Sequence, residues 1–181
     1  LICLISATFL VRFPLQNHPI GSDNYANHTL ADVITTNGQV LWHIHFFSLL
    51  GIYPFSIASG GLVLLSGIQQ MSSLEMESVL LVTCVYFGLI GTVSLFMLVN
   101  TISRNPLLAF IAAFIFSTSN IFKGWTSWDL TFRGPFIAVL PIFILVYFSF
   151  LHRRPANDKL KYGILSGGII LILITLHKMF F

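Results

Sequence analysis

Four apolar runs dominate this chain, at residues 78–101, 106–122, 133–151 and 161–177, and the only charges in them are Arg133 and Lys161, each at a first position. The hydrocarbon core of a bilayer is about 30 Å thick, so a crossing helix needs roughly 20 predominantly apolar residues, with about 17 to 25 tolerated. All four runs fall in that range, the second and fourth at its short end. The composition agrees. Charged residues are 8% of the chain, against about 25% in soluble domains, while 56% is hydrophobic and the mean hydropathy is +0.88. A soluble domain of 181 residues could not hide so much apolar surface. The sequence therefore predicts an all-α fold, a polytopic transmembrane helical bundle.

Short polar joints separate the runs: "ISRNP", "KGWTSWDLTFRG" and "HRRPANDKLK". Pro106 and Pro135 fall near span starts, where a missing amide is harmless. The chain opens at Leu1 inside the apolar "LICLISATFLV", which is too short for a whole span and lacks a signal peptide's basic flank and cleavage site. Residues 1–14 read as the end of a first span in a piece of a longer protein. Cys3 and Cys84 lie in apolar runs and read as small hydrophobes.

Segment 54–70, "PFSIASGGLVLLSGIQQ", holds only about a dozen apolar residues with three glycines, which suits an interfacial or re-entrant helix; the alternative, that it spans, would reverse the first helix and put the polar stretch inside. Charge sets the orientation. Arg104, Arg153, Arg154, Lys159 and Lys161 face one side, while Lys123, Arg133 and Lys178 face the other. The denser basic group belongs in the cytoplasm. Residues 15–77 then form a long first outer loop carrying amphipathic interfacial helices. The expected location is multi-pass, in the cell membrane, or in the endoplasmic reticulum of a eukaryote.

This topology puts Asp23, Asp32, Glu75, Glu77 and Asp129 outside and only Asp158 inside. No acid falls mid-span, which argues against a proton pump or an ion channel with intramembrane carboxylates. The most polar stretch, "GSDNYANHTLADVITTNG", reads as a helix capped by Ser22 or Asp23 and ended by Gly38, with Ala26, Leu30, Val33 and Ile34 turned to the membrane. Asp23 and Asn27, Asn24 and His28, and His28 and Asp32 are each four apart and share a polar face. A plain reading competes: Asp23 caps a helix, and His28 with Asp32 is a solvated pair. "WHIHFF" offers His43 and His45, but Trp and Phe around them fit an interfacial belt better than a metal site. "NHT" at Asn27 matches the glycosylation acceptor pattern. In "KGWTSWDLTFRG", Asp129 and Arg133 are four apart between aromatic anchors.

The order of an apolar span, "GSDNYANH", a helix ending in "TTNG", "YPF" with a short apolar helix, and a second acid-bearing joint resembles a known family. It is similar to the GT-C-type membrane glycosyltransferases that use polyprenyl-phosphate-linked sugars, which include protein mannosyltransferases and oligosaccharyltransferase catalytic subunits. The resemblance implies that Asp23 is the essential acid of the first outer loop and that Asp129 is the acid of the second. Asn27 and His28, one turn beyond Asp23, would orient it, with His28 in the catalytic group. Arg133, Lys123 and Lys178 would bind the donor's phosphate as negative charge grows on it. Oligosaccharyltransferases hold a divalent metal with an acid pair one residue apart; here Leu130 and Thr131 follow Asp129, so the cofactor is left open, with a divalent metal an alternative that no acid pair supports and no metal ligand assigned. The lack of a Rossmann fingerprint or P-loop agrees with a lipid-linked donor.

The expected partners are a lipid-linked sugar donor, membrane lipid and an acceptor that the sequence does not specify. A rival from another class is a non-catalytic polytopic membrane subunit or transporter half whose outer loop docks a partner. Nucleic acid is not expected, because the pI near 9.1 reflects a net charge of only +3 at span ends.

Overall fold

The computed structural model describes residues 1–13, 22–40, 60–127, 133–152 and 156–176, the side chains of residues 22, 23, 152 and 156–158 excepted. The elements among them are helices: α1 (Ile2–Arg12), α2 (Ser22–Asn37), α3 (Gly60–Ser72), α4 (Met76–Ser103), α5 (Pro106–Thr118), α6 (Asn120–Trp125), α7 (Arg133–His152) and α8 (Ala156–Leu176). Three stretches among the described residues are long and apolar enough to cross a membrane, Met76–Ser103, Arg133–Leu151 and Lys159–Leu176. A membrane protein is the consequence. At 1.5 Å per residue the 28-residue α4 is about 42 Å long, and its one charge, Glu77, lies in the first turn.

The run expected as one crossing at 106–122 is divided. Helix α5 stops at Thr118 after 13 residues, about 20 Å, short of the roughly 30 Å that a crossing needs. Ser119 causes the break. Its extended backbone leaves the helix, and its hydroxyl accepts from the Phe122 amide at 3.4 Å to start α6.

The turn from α4 to α5 follows ordinary capping rules. Arg104 takes the left-handed conformation, φ 53°, and its amide bonds the Asn100 carbonyl at 2.9 Å. Asn105 then caps α5, accepting from the Leu107 and Leu108 amides at 3.0 and 3.2 Å, and Pro106 takes the first helical position.

Helix α2 runs from Ser22 to Asn37, and Gly38, at φ +69°, ends it by donating its amide to the Ile34 carbonyl at 2.8 Å. Its apolar stripe meets protein. Ala31 and Ile34 are buried with Leu62 and Leu65 of α3 and Met76, Val79, Leu80 and Cys84 of α4, whereas Ala26 is exposed. This corrects the expectation of a face laid wholly on lipid, since neighbouring helices supply the apolar surface instead. A polar seam fixes the register. Thr35 donates its hydroxyl within reach of Ser66 at 3.0 Å and Gln69 Oε1 at 2.7 Å, and Gln70 donates to Ser66.

Helix α4 is the axis, packing on α1, α2, α3, α5, α6 and α7. Its first half, to Cys84, belongs to the cluster with α2 and α3, while Phe87 joins a second cluster with Phe122 of α6 and Ala138 of α7. A third cluster, Val146, Ile169 and Leu173, joins α7 to α8. The start of α3 meets the end of α8, where a side chain at Gly60 would strike Thr175. Gly88 follows Phe87 directly on α4.

Candidate functional site

Arg12, the last residue of α1, is 1% exposed and is the largest fully buried side chain among the described residues. It lies on Gly88, where a Cβ would overlap its Nε and Cδ, so α4 can accept Arg12 only because position 88 has no side chain. The guanidinium is 5.1 Å from the centroid of the Phe122 ring, a cation–π distance.

Its hydrogen bonds converge from three elements. Nε donates to Thr126 Oγ1 at 2.9 Å, Nη1 to Ser117 Oγ at 2.9 Å and to the Thr8 carbonyl at 3.2 Å, and Nη2 to the Ser117 carbonyl at 3.1 Å. The hydroxyl directions follow. Thr8 spends its single proton on the Leu4 carbonyl at 2.7 Å, so across the 3.0 Å contact Ser117 donates to Thr8. Thr126 donates to the Phe122 carbonyl and is left free to accept from Arg12. Each proton points away from the cation, and such chains polarise one another.

Every one of these partners is neutral. Desolvating an ion costs several kcal/mol even after relaxation, and the four hydrogen bonds work against that cost. Ionisable side chains at membrane depth pair with one another or with backbone carbonyls, and Arg12 donates to two such carbonyls, those of Thr8 and Ser117.

The joint after α6 is closed at its base. A Cβ at Gly134 would overlap the Trp125 carbonyl oxygen, so only glycine lets the start of α7 lie against the end of α6. Arg133 is thereby brought over the Trp125 ring, with its Cζ 5.9 Å from the centroid. Arg133 is exposed and Lys123, in α6, is half-buried.

The remaining sequence candidates are spread. Asn27 and His28 are half-buried on α2, and Asn24, expected on the same polar face as His28, is fully buried, because the helix turns that side to the core. Asp23 lies in the first turn of α2, with its side chain outside the described residues. Asp129, Lys178, His43 and His45 also lie outside them. Among the described residues no three His, Cys, Asp or Glu side chains gather as a metal site.

The sequence reading missed Arg12, together with Thr8, Ser117 and Thr126. A signal existed: an arginine in the apolar "SATFLVRFPL" is costly unless partnered, and Thr8 lies one turn before it. No family model, curated protein or solved structure matches this chain.

Proposed function

We propose that this chain forms part of a polytopic membrane glycosyltransferase that moves a sugar from a polyprenyl-phosphate-linked donor to an acceptor on the outer face. The observation that carries the reading is the contact between Arg12 and Thr126. Arg12 ends α1, and Thr126 follows α6. The chain that leads on to Asp23, Asn27 and His28 and the chain that leads on to Asp129 and Arg133 therefore both leave from this contact. A transferase needs its two acid-bearing segments close together at the membrane surface.

Depth supports the same reading. With Arg104 at the inner edge, about 30 Å of hydrocarbon spans roughly 20 residues of α4 and ends near Thr83. Gly88 and Arg12 then lie about 8 Å below the outer edge. In this proposal residues 15–77 make up the first outer loop, beyond this edge.

A sugar on a lipid phosphate stays at the interface, so a carboxylate there is placed to take the acceptor hydroxyl's proton. Asp23 has that role in this proposal, with Asn27 and His28 beside it. Asp129 is the second acid, and Arg133, Lys123 and Lys178 meet the departing phosphate. Replacing Asp23 by Asn keeps most of its capping ability and removes the proton acceptor, which typically costs about 10²- to 10⁴-fold in rate. Purified protein given a polyprenyl-phosphate sugar and an acceptor should lose turnover in the Asp23→Asn form and keep its melting temperature. Equal turnover in both forms returns Asp23 to a helix cap.

A further inference from the structure

We propose that Arg12 is a clamp across a broken crossing helix: it keeps α5 and α6 as two helices, and without it residues 106–125 close up into one. The clamp holds whether or not the chain transfers sugars. The run "PLLAFIAAFIFSTSNIFKGW" makes about 30 Å as a single helix, the thickness of the hydrocarbon core. Length therefore favours one crossing. The chain instead turns at Ser119, whose backbone is extended at φ −57° and ψ 135°.

Ser119 starts the break, but a serine is also at home inside a crossing helix. Ser94 in α4 and Ser149 in α7 donate their hydroxyls to the Ile90 and Leu145 carbonyls one turn back, and both helices run on. What holds Ser119 out of that arrangement is the packing on its two sides. The Phe116 and Phe122 rings stack with centroids 4.2 Å apart, and Arg12 grips the chain before and after the turn. Nη1 and Nη2 donate to the Ser117 hydroxyl and carbonyl at 2.9 and 3.1 Å, and Nε donates to the Thr126 hydroxyl at 2.9 Å.

That grip cannot form on a continuous helix. Two hydroxyls bonded to one planar guanidinium lie within about 8 Å of each other, whereas unbroken helix puts Ser117 and Thr126 about 14 Å apart along the axis and on opposite faces. Phe116 and Phe122 would be about 9 Å apart along it, too far to stack. The carbonyls agree. In lipid the free carbonyls at a helix end need partners, and at the end of α5 the Phe116 carbonyl accepts from the Ser119 amide and hydroxyl at 3.3 and 2.8 Å, while the Ser117 carbonyl accepts from Arg12. A straight helix gives the Ser117 carbonyl the Ile121 amide, so removing Arg12 takes a partner away that straightening restores. The effect reaches α7. The Trp125 carbonyl sits where a side chain at Gly134 would overlap it, and a straightened run carries Trp125 off that seat. The position of α1 thereby sets whether α6 lies against α7.

Pulsed electron paramagnetic resonance on the whole protein in lipid nanodiscs tests the clamp, with Cys3 and Cys84 replaced and spin labels at positions 107 and 124. Leu107 is exposed, and a Cβ at Gly124 meets nothing within 4 Å. A straight helix separates these positions by about 25 Å, and the parent should give a shorter distance. Arg12→Met should move the distribution to about 25 Å, and Thr126→Val, which frees one side of the grip, should add a second population there. Thr35→Val loosens a different seam, between α2 and α3, and should leave the parent distance unchanged. A parent already at about 25 Å, a parent-like distance in Arg12→Met, or the same lengthening in Thr35→Val overturns the proposal. If Arg12→Met does not fold, Thr126→Val decides by the same reading. Loss of folding in both counts against the clamp, because a continuous helix is the folded alternative that it requires.

Discussion

Nε of Arg12 donates to Oγ1 of Thr126 at 2.9 Å, joining residues 114 apart in sequence. The bond ties the exit of the first helix to the exit of α6. Thr126→Val keeps the shape and removes the acceptor, leaving a buried charged donor short of a partner. A hydrogen bond to a charged group contributes about 1.5 to 3 kcal/mol, so unfolding in detergent should show a loss of that size, while Thr126→Ser should stay close to the parent. A Val variant as stable as the parent would show that the bond carries little.

Gly88 gives a second, steric prediction. Alanine there overlaps Nε and Cδ of Arg12, which four hydrogen bonds hold in place. Overpacking of this kind typically costs about 1 to 3 kcal/mol. Gly88→Ala should melt lower, and its added cost should shrink in an Arg12→Met background, where the obstacle is flexible and apolar. Gly167→Ala is the control, because nothing lies within 4 Å of a Cβ at that position. It should be neutral or slightly stabilising.

The helices were legible in the sequence because their signals are local. Run length marks Met76–Ser103, Arg133–Leu151 and Lys159–Leu176, and Gly38, Asn105 and Pro106 mark ends through cap chemistry that needs no distant partner. The division of 106–122 was also written locally, in "FSTSN", but apolar content outweighed the Ser119 cap in the reading. Arg12 was not legible. Its partners Ser117 and Thr126 are 105 and 114 residues away, and periodicity says which side of a helix is polar without saying what meets it. The stripe on α2 failed for a related reason. Lipid and protein are both apolar, so a stripe such as Ala31 and Ile34 cannot tell which of them it will meet.

The seam between α2 and α3 predicts a local effect. Thr35 reaches Ser66 and Gln69 at 3.0 and 2.7 Å, both half-sheltered between the helices. Interhelical hydrogen bonds in membrane proteins average about 0.6 kcal/mol, with a maximum near 1.7. Thr35→Val should cost no more than that globally. Amide exchange in α2 should nevertheless quicken, because this seam joins α2 to α3, while exchange in α4 stays unchanged. Equal quickening in both helices would show that α2 does not open on its own.

The last prediction concerns orientation, on which the proposed site depends. Arg104 follows α4, Arg153 and Arg154 come between α7 and α8 in the sequence, and Lys159 and Lys161 lie in the first two turns of α8, while Lys123 and Arg133 flank the joint tied to Arg12. The positive-inside rule places the first group in the cytoplasm. Arg12 carries the argument to the other end of the chain: its bonds to Ser117 and Thr126 put the exit of α1 on the same side as that joint, away from the dense basic group. Ser22, the first residue of α2, should therefore be outside and Asn157, near the start of α8, inside. With Cys3 and Cys84 replaced, a single cysteine at position 22 should react with an impermeant thiol reagent in intact cells, and one at position 157 only after permeabilisation. Reaction of both from the same side would remove the outer loop and, with it, the site built on Asp23.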